Sequence, residues 1–228
     1  MKEMMNNLRL MRSLSVLFVA LLPMLLFAQQ SSGHSVRGRT TLYPAFSPAT
    51  IYLADGRVVK ERNANIFLKN ATLVYKSGGV VKKVKPSLIS KVQFADATYY
   101  RVDTLLASVV DSVQGAALYR ASVIDIEAYN ELVTASTSVT DVILAEYVSV
   151  GTVERTAAED KDYPLIDYYF MDFQDRQVQM EDRKLYRIVP KDKRRLYKNA
   201  ISAPGFSWTS PESLCQLMAL ILSPSARD

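Results

Sequence analysis

The sequence is poor in histidine and lacks the common catalytic and nucleotide-binding motifs. It contains one histidine, His34, and no GxSxG motif, Walker loop or GxGxxG motif after a strand. Because His34 lies in a polar stretch near the start of the chain, a catalytic triad or a zinc site would rest on a flexible arm. We therefore expect a non-catalytic protein with no metal and no cofactor.

Cysteine is equally scarce, since Cys215 is the only one. A single cysteine excludes an internal disulfide framework, so the hydrophobic core must hold the folded chain together. Cys215 lies in an apolar stretch, and we interpret it as a small buried residue rather than a reactive thiol.

The chain has one long apolar run, and it lies at the N-terminus. Lys2, Arg9 and Arg12 precede a mainly apolar segment from Leu14 to Phe27. This pattern is typical of a signal peptide over residues 1–28, and the run is short for a membrane span. An uncleaved N-terminal anchor is the alternative. After cleavage, the mature chain has no transmembrane candidate.

Charge excludes a further class of partner. Removing the leader, with three basic residues and one acidic residue, lowers the formal net charge from +5 to +3. A net charge this small, on a chain expected to be exported, argues against nucleic acid as a partner.

The stretch from Ala64 to Val102 predicts consecutive short strands. The strand-like pieces are rich in β-branched and aromatic residues and cover 64–68, 72–75, 80–84, 88–94 and 98–102. Gly78-Gly79 and Asp55-Gly56 are typical hairpin turns, and Pro86 stops a strand. Such short connections favour an antiparallel sheet that begins near residue 50.

The next segments are more ambiguous. Residues 103–113 fit either a helix or a strand, and their valine content together with Gly115 favours a hairpin into 116–124. Residues 124–133 are predicted to continue as a strand, 134–140 form a polar loop, and 142–153 are another strand candidate. A charged loop at 155–162 and a hairpin at 165–180 follow.

After residue 180 the pattern becomes helical. Ser210-Pro211-Glu212 is a strong helix start, and Leu214, Leu217, Met218 and Ile221 form one apolar stripe behind it. We expect this helix to dock on the sheet face built from residues 64–102. The sequence thus predicts an α+β, mainly β fold, with an antiparallel meander or partly open barrel followed by two or three short C-terminal helices. The predicted divisions are a flexible lead-in at 29–49, a β-rich body at 50–180, a helical segment at 181–222 and a tail at 223–228.

The mature pattern resembles a broad group of exported proteins of unknown function that are common in Bacteroidota-type Gram-negative bacteria. The matching pieces lie within residues 50–222 and are ANIFLKNATLVYKSGGVVKKV, ALYRASVIDIEAY and YYFMDFQDRQV…LYRIVPKDKRRLYKNAI…FSWTSPESL. The resemblance implies a place in the periplasm or at the outer-membrane periphery and gives no catalytic residues. Envelope proteins or an outer-membrane assembly are then the expected partners.

Two groups of residues are candidates for partner binding. One is a basic run that includes Arg183, Lys184, Arg187, Lys191, Lys193, Arg194, Arg195 and Lys198. It suits an acidic partner or anionic headgroups, or else it is the solvated face of two helices. The other group consists of the tyrosine pairs Tyr99-Tyr100 and Tyr168-Tyr169, which suit sugar or protein contacts, or else pack as sheet-surface ladders.

Two alternative functions remain open in the sequence. Carboxylates at Glu154, Glu159, Asp160, Asp162, Asp167, Asp172 and Asp175 would serve a carboxylate-based hydrolase if two faced each other across a cleft, although a solvated acidic loop is the plainer interpretation. A β-barrel with an empty interior would instead hold a small apolar ligand.

Overall fold

The computed structural model describes residues 34–135 and 162–224, which contain an antiparallel sheet of eleven strands. The strands are β1 (Ser35–Arg37), β2 (Ser47–Leu53), β3 (Val58–Phe67), β4 (Thr72–Ser77), β5 (Val80–Lys83), β6 (Ile89–Gln93), β7 (Thr98–Val102), β8 (Leu105–Val113), β9 (Ala116–Ile124), β10 (Asp162–Phe173) and β11 (Arg176–Gln179). The helices are α1 (Ile126–Ala135), α2 (Asp182–Ile188), α3 (Arg194–Ile201) and α4 (Pro211–Leu222), with 3₁₀ turns at Pro86–Leu88 and Lys191–Lys193.

Most neighbouring strands in the sheet are also consecutive in the chain. The order is β1-β10-β9-β8-β7-β6-β2-β3-β4-β5, and β11 also pairs with β10. The sheet is therefore largely a meander and stays open, with short helices at its C-terminal end. This confirms the predicted mainly β fold class.

The turn chemistry explains the hairpins that the sequence predicts. Gly78 and Gly79 connect β4 to β5 with φ values of 60° and 77°, which are costly for residues with a Cβ. Nothing lies within 4 Å of a Cβ built on either glycine. Backbone conformation, and not crowding, therefore makes glycine suitable here.

Residues 103–113 form a strand, as the hairpin interpretation predicts, with β8 pairing to β9. The expected continuation of a strand over 124–133 is wrong, because α1 begins at Ile126. Asp125 starts this helix: its carboxylate accepts a hydrogen bond from the Ala128 amide at 3.0 Å, as an N-cap residue does. The predicted signal peptide, the strand candidate at 142–153 and most of the two flanking loops lie outside the described residues.

The predicted flexible lead-in is in fact built into the sheet from residue 35 onward. Ser35–Arg37 pairs with residues 162–164 of β10. Further along, the Leu42 amide donates to the Ile66 carbonyl at 2.9 Å, and Thr40 and Thr41 are buried. Backbone pairing with β3 and β10 offsets the cost of ordering this polar segment.

The Asn65 side chain bonds residues 43–45 to β3. This fully buried side chain accepts from the Tyr43 amide at 3.0 Å and donates to the carbonyls of Tyr43 and Ala45 at 3.0 and 3.1 Å. The side-chain amide of Asn65 thus supplies the hydrogen bonds that a neighbouring strand would otherwise make to the backbone of residues 43–45.

The sheet curls strongly, so that strands distant in its order come together. The Leu106 amide donates to the Ala71 carbonyl at 2.7 Å, and the Ile124 amide donates to the Leu68 carbonyl at 2.9 Å. Apolar residues of β2, β3, β4, β6 and β8 fill the inner side. The cavity between β3 and β9, next to Ser122, has about 70 Å³, well below the roughly 300 Å³ of a typical small-molecule site. This part of the interior does not favour the apolar-ligand alternative.

The predicted docking site of α4 is wrong, because the helix packs on β8, β9 and β10 rather than on the face built from residues 64–102. Leu217 is in one core cluster with Leu118 of β9 and with Tyr169 and Met171 of β10, and Val110 and Val113 of β8 pack against the same cluster. In the part of the chain that the structure describes, no helix is long and apolar enough to cross a membrane.

Tyr197 of α3 belongs to the core cluster that the C-terminal helices form with the sheet. It is fully buried, and its hydroxyl donates to the Asp182 carboxylate at 2.8 Å. Burial, reinforced by the Asp182 carboxylate, raises the pKa of Tyr197 far above its usual value. The folded state therefore keeps the phenol proton at a pH at which the unfolded chain releases it.

We expect the free energy of unfolding to decrease as the pH rises above about 10, the pKa of an unperturbed tyrosine. The sign follows from the raised pKa, since the unfolded chain binds fewer protons in that range. Urea unfolding between pH 8 and pH 11 should show a shallower decrease for Tyr197→Phe than for wild type. Tyr52→Phe, which removes a surface hydroxyl, is the matched control and should keep the wild-type slope. Equal slopes for all three chains would show that Tyr197 does not cause the loss of stability at high pH.

Candidate partner-binding groove

Three cations line a groove of about 510 Å³, here called the basic groove. The β7–β8 turn, the β10–β11 hairpin and α2 surround it. Its lining residues are Val102, Asp103, Phe170, Arg176, Gln177, Val178, Gln179, Lys184, Arg187 and Ile188. Apolar side chains and cationic groups thus face one space.

Local structure places the cations at this groove. Gln174 and Asp175 have φ values of 47° and 61°, which turn the chain back so that Arg176 begins β11 beside the end of β10. α2 follows after a short connection and presents Lys184 and Arg187 one turn apart. Lys184 donates to the Gln179 side chain and lies 3.4 Å from the Glu181 carboxylate.

The remaining charges in the groove are not neutralised. Arg176 and Arg187 are exposed, and neither forms a salt bridge within the described ranges 34–135 and 162–224. Asp103 is the only carboxylate among the lining residues, against three cations. An anionic group that enters the groove would therefore meet two guanidinium groups with free donors.

The structure gives different environments to the five residues of the basic run from Lys191 to Lys198 that were predicted as a partner-binding face. Lys191, Arg195 and Lys198 are exposed. Arg194 is half-buried, with its guanidinium 4.9 Å from the centre of the Tyr186 ring.

Lys193 does not belong to an exposed face at all. Only 6% of it is accessible, and its Nζ donates to the Ile221 carbonyl at 3.2 Å and to Ser223. A lysine at this place satisfies the last carbonyls of α4 and complements the helix dipole. The sequence does not indicate that Lys193 caps α4, because Lys193 and Ile221 are far apart in the chain.

The four candidate tyrosines are distributed over both faces of the sheet, and none is fully exposed. Tyr169 is buried under the helices and donates to the Thr209 carbonyl at 3.3 Å. The Tyr99 hydroxyl lies 3.2 Å from that of Tyr43. These two side chains are used in packing.

Tyr100 and Tyr168 lie on the opposite face, half-buried against one apolar cluster that includes Phe170. The ring of Tyr100 meets that of Tyr119 edge to face, with centroids 5.9 Å apart. This arrangement matches the sheet-surface ladder interpretation.

Asp167 and Asp172, two carboxylates of the hydrolase alternative, are not brought together. Asp167 accepts from the Ser122 hydroxyl at 2.5 Å, whereas Asp172 accepts from the Tyr119 hydroxyl at 3.0 Å. Positions 167 and 172 of one strand point to opposite faces. Burial, followed by the effect of Asp172, raises the pKa of Tyr119 to about 12, so this phenol stays protonated as a donor. Glu154, Glu159 and Asp160 lie outside the described residues.

Cys215 is half-buried on α4, with its sulfur 3.3 Å from the Asp111 carboxylate. Burial, reinforced by Asp111, raises the pKa of the Cys215 thiol to about 11. The thiol is therefore neutral near pH 7, which makes it a poor nucleophile. No group of three or more His, Cys, Asp or Glu suited to a metal is present in the described part of the chain.

Sequence reasoning missed Arg176, which completes the cationic lining. It follows a turn and stands apart from the basic run, and only the register of β11 on β10 brings it to the groove. Comparison of the chain with known protein families, curated proteins and solved structures finds no match.

Proposed function

We propose that the protein is a non-catalytic component of the cell envelope that binds or scaffolds other proteins through the basic groove. The observation that carries this proposal is the pair Arg176 and Arg187, two exposed guanidinium groups beside an apolar floor that form no salt bridge with any carboxylate among the residues that the structure describes. Hydrogen bonds between a guanidinium and a carboxylate are among the stronger polar contacts. An acidic segment of an envelope protein supplies the matching charge, and the leader-like N-terminal sequence supports a location where such proteins occur.

Apolar contact adds to the charge. Phe170, Val178 and Ile188 line the same groove, so a partner's apolar side chain leaves water when it binds there. Charge alone is screened by salt at the surface of a protein, whereas a contact that excludes water is screened less. Cationic groups and apolar side chains in one groove together suit a protein segment that carries both acidic and apolar residues.

A photo-cross-linking phenylalanine analogue at Gln177 tests the proposal in intact envelopes. Gln177 is exposed and lines the groove, so this change leaves the cations in place. We expect a discrete adduct with another protein. In the Arg176→Glu/Arg187→Glu chain, its yield should fall about tenfold, the effect of losing charge-assisted hydrogen bonds.

The matched control carries the same analogue at Val80, an exposed residue of β5 that is 59% accessible. It should not yield that adduct. The same adduct from both positions, or one that survives charge reversal, would show that the groove is not the binding site.

A further inference from the structure

We infer that the partner binds the basic groove by adding a short acidic β-strand to the free edge of β11. This inference rests on the proposed function and specifies how the partner binds. β11 is paired with β10 on one side, and its other edge has no strand partner in the described part of the sheet. On this edge the Gln179 carbonyl already accepts from the Glu181 amide at 2.9 Å, and the other outward N–H and C=O groups of β11 form a template for another strand.

The groove follows this edge along its whole length. All four residues of β11 line it, so an extended segment in the groove lies beside the complete strand. A helix or a compact loop would not match four consecutive extended residues in this way. An added strand would use main-chain hydrogen bonds for affinity.

Charge then selects which strand is added. Arg176 stands at the start of β11, and Lys184 and Arg187 project from α2 toward the same groove. In a strand, alternate side chains point to the same side. A segment that alternates carboxylates with apolar residues places its acids on the side of Arg176 and its apolar residues on the opposite side of the strand, which is the side of Phe170. A basic strand would meet three like charges.

An edge of this kind is usually protected by charge against random pairing. Arg176 and Arg187 give that protection against neutral and basic strands and attract acidic ones. The first half of β3 is blocked in a different way, because the Glu61 carboxylate accepts from the amides of Arg62 and Asn63 at 2.8 and 3.1 Å. The edges of β11 and of the first half of β3 thus differ in whether a side chain of this protein already occupies their donors.

The test uses a fluorescent, end-blocked hexapeptide of alternating Glu and Val and the purified chain without its leader. Fluorescence anisotropy should show saturable binding. The same peptide N-methylated at alternate residues keeps its charge and side chains but loses main-chain donors, and we expect about tenfold or more weaker binding. Arg187→Gln should weaken binding about tenfold, whereas Arg57→Gln, which removes a cation of the β2–β3 hairpin, should have no effect.

The outcomes separate this inference from the proposed function. If the N-methylated peptide binds as well as the unmodified one while Arg187→Gln still weakens both, strand addition is wrong and the acidic-partner proposal stands. If neither peptide binds, strand addition is also wrong, and the cross-linking experiment decides the proposed function alone. Co-sedimentation with phosphatidylglycerol vesicles that depends on Arg176 and Arg187, without peptide binding, would assign the groove to an anionic membrane surface and overturn the inference.

Discussion

Leu217→Asp should unfold the sheet domain under conditions in which the wild-type chain is folded. Leu217 is 1% exposed and contacts the cluster that joins α4 to β9 and β10. The change removes roughly 2 kcal/mol of apolar burial and places an unpaired carboxylate in that cluster, at several kcal/mol more. A total above about 4 kcal/mol is a large part of the roughly 5–15 kcal/mol that stabilises a domain.

Thermal and urea unfolding followed by circular dichroism measure the effect. Leu196→Asp is the matched control, because it makes the same substitution on α3 at a residue that is 54% exposed. The control should stay within about 0.5 kcal/mol of wild type. An unchanged midpoint for Leu217→Asp would mean that α4 is not part of the core, and α4 would then be a candidate docking peptide.

Asn65→Ala should lower the free energy of unfolding by about 3 kcal/mol or more. The substitution leaves the amide of Tyr43 and the carbonyls of Tyr43 and Ala45 without their side-chain partner. Each buried polar group left unpaired costs about 1–3 kcal/mol, and water reaches only some of them. The segment at 40–45 should detach from β3.

Urea unfolding gives the size of this effect, and hydrogen exchange locates it in residues 40–45. Asn63→Ala, an exposed asparagine of the same strand, is the control and should change stability little. A loss below about 1 kcal/mol for Asn65→Ala would show that the segment is held by its backbone bonds alone.

Features that depend on neighbouring residues could be predicted from the sequence. The Gly78-Gly79 turn needs only the local backbone, and the Ser210 cap of α4 needs only Ser213, whose amide donates to it at 3.2 Å. The alternation of Tyr99 and Tyr100 between the faces of β7 follows from the geometry of a strand. In each case the determining interaction spans a few residues.

Features that depend on distant residues could not be predicted. Nothing near Lys193 indicates that it ends α4, and nothing near Ser35 indicates that it pairs with β10. The basic groove has the same origin, since Arg176 and Arg187 meet only after β10, β11 and α2 have taken their register. Periodicity shows which face of an element is apolar, but not which distant element covers it.

The pairing of β1 with β10 imposes an order on how the chain becomes structured as it is synthesised from its N-terminus. The hairpins from β2 to β9 join neighbours in the chain and are able to form as each strand emerges. Ser35–Arg37 emerges before all of them, yet its partner at residues 162–164 comes after them. The earliest strand must therefore wait unpaired until nearly the last one appears, which leaves it open to capture by chaperones or proteases during that interval.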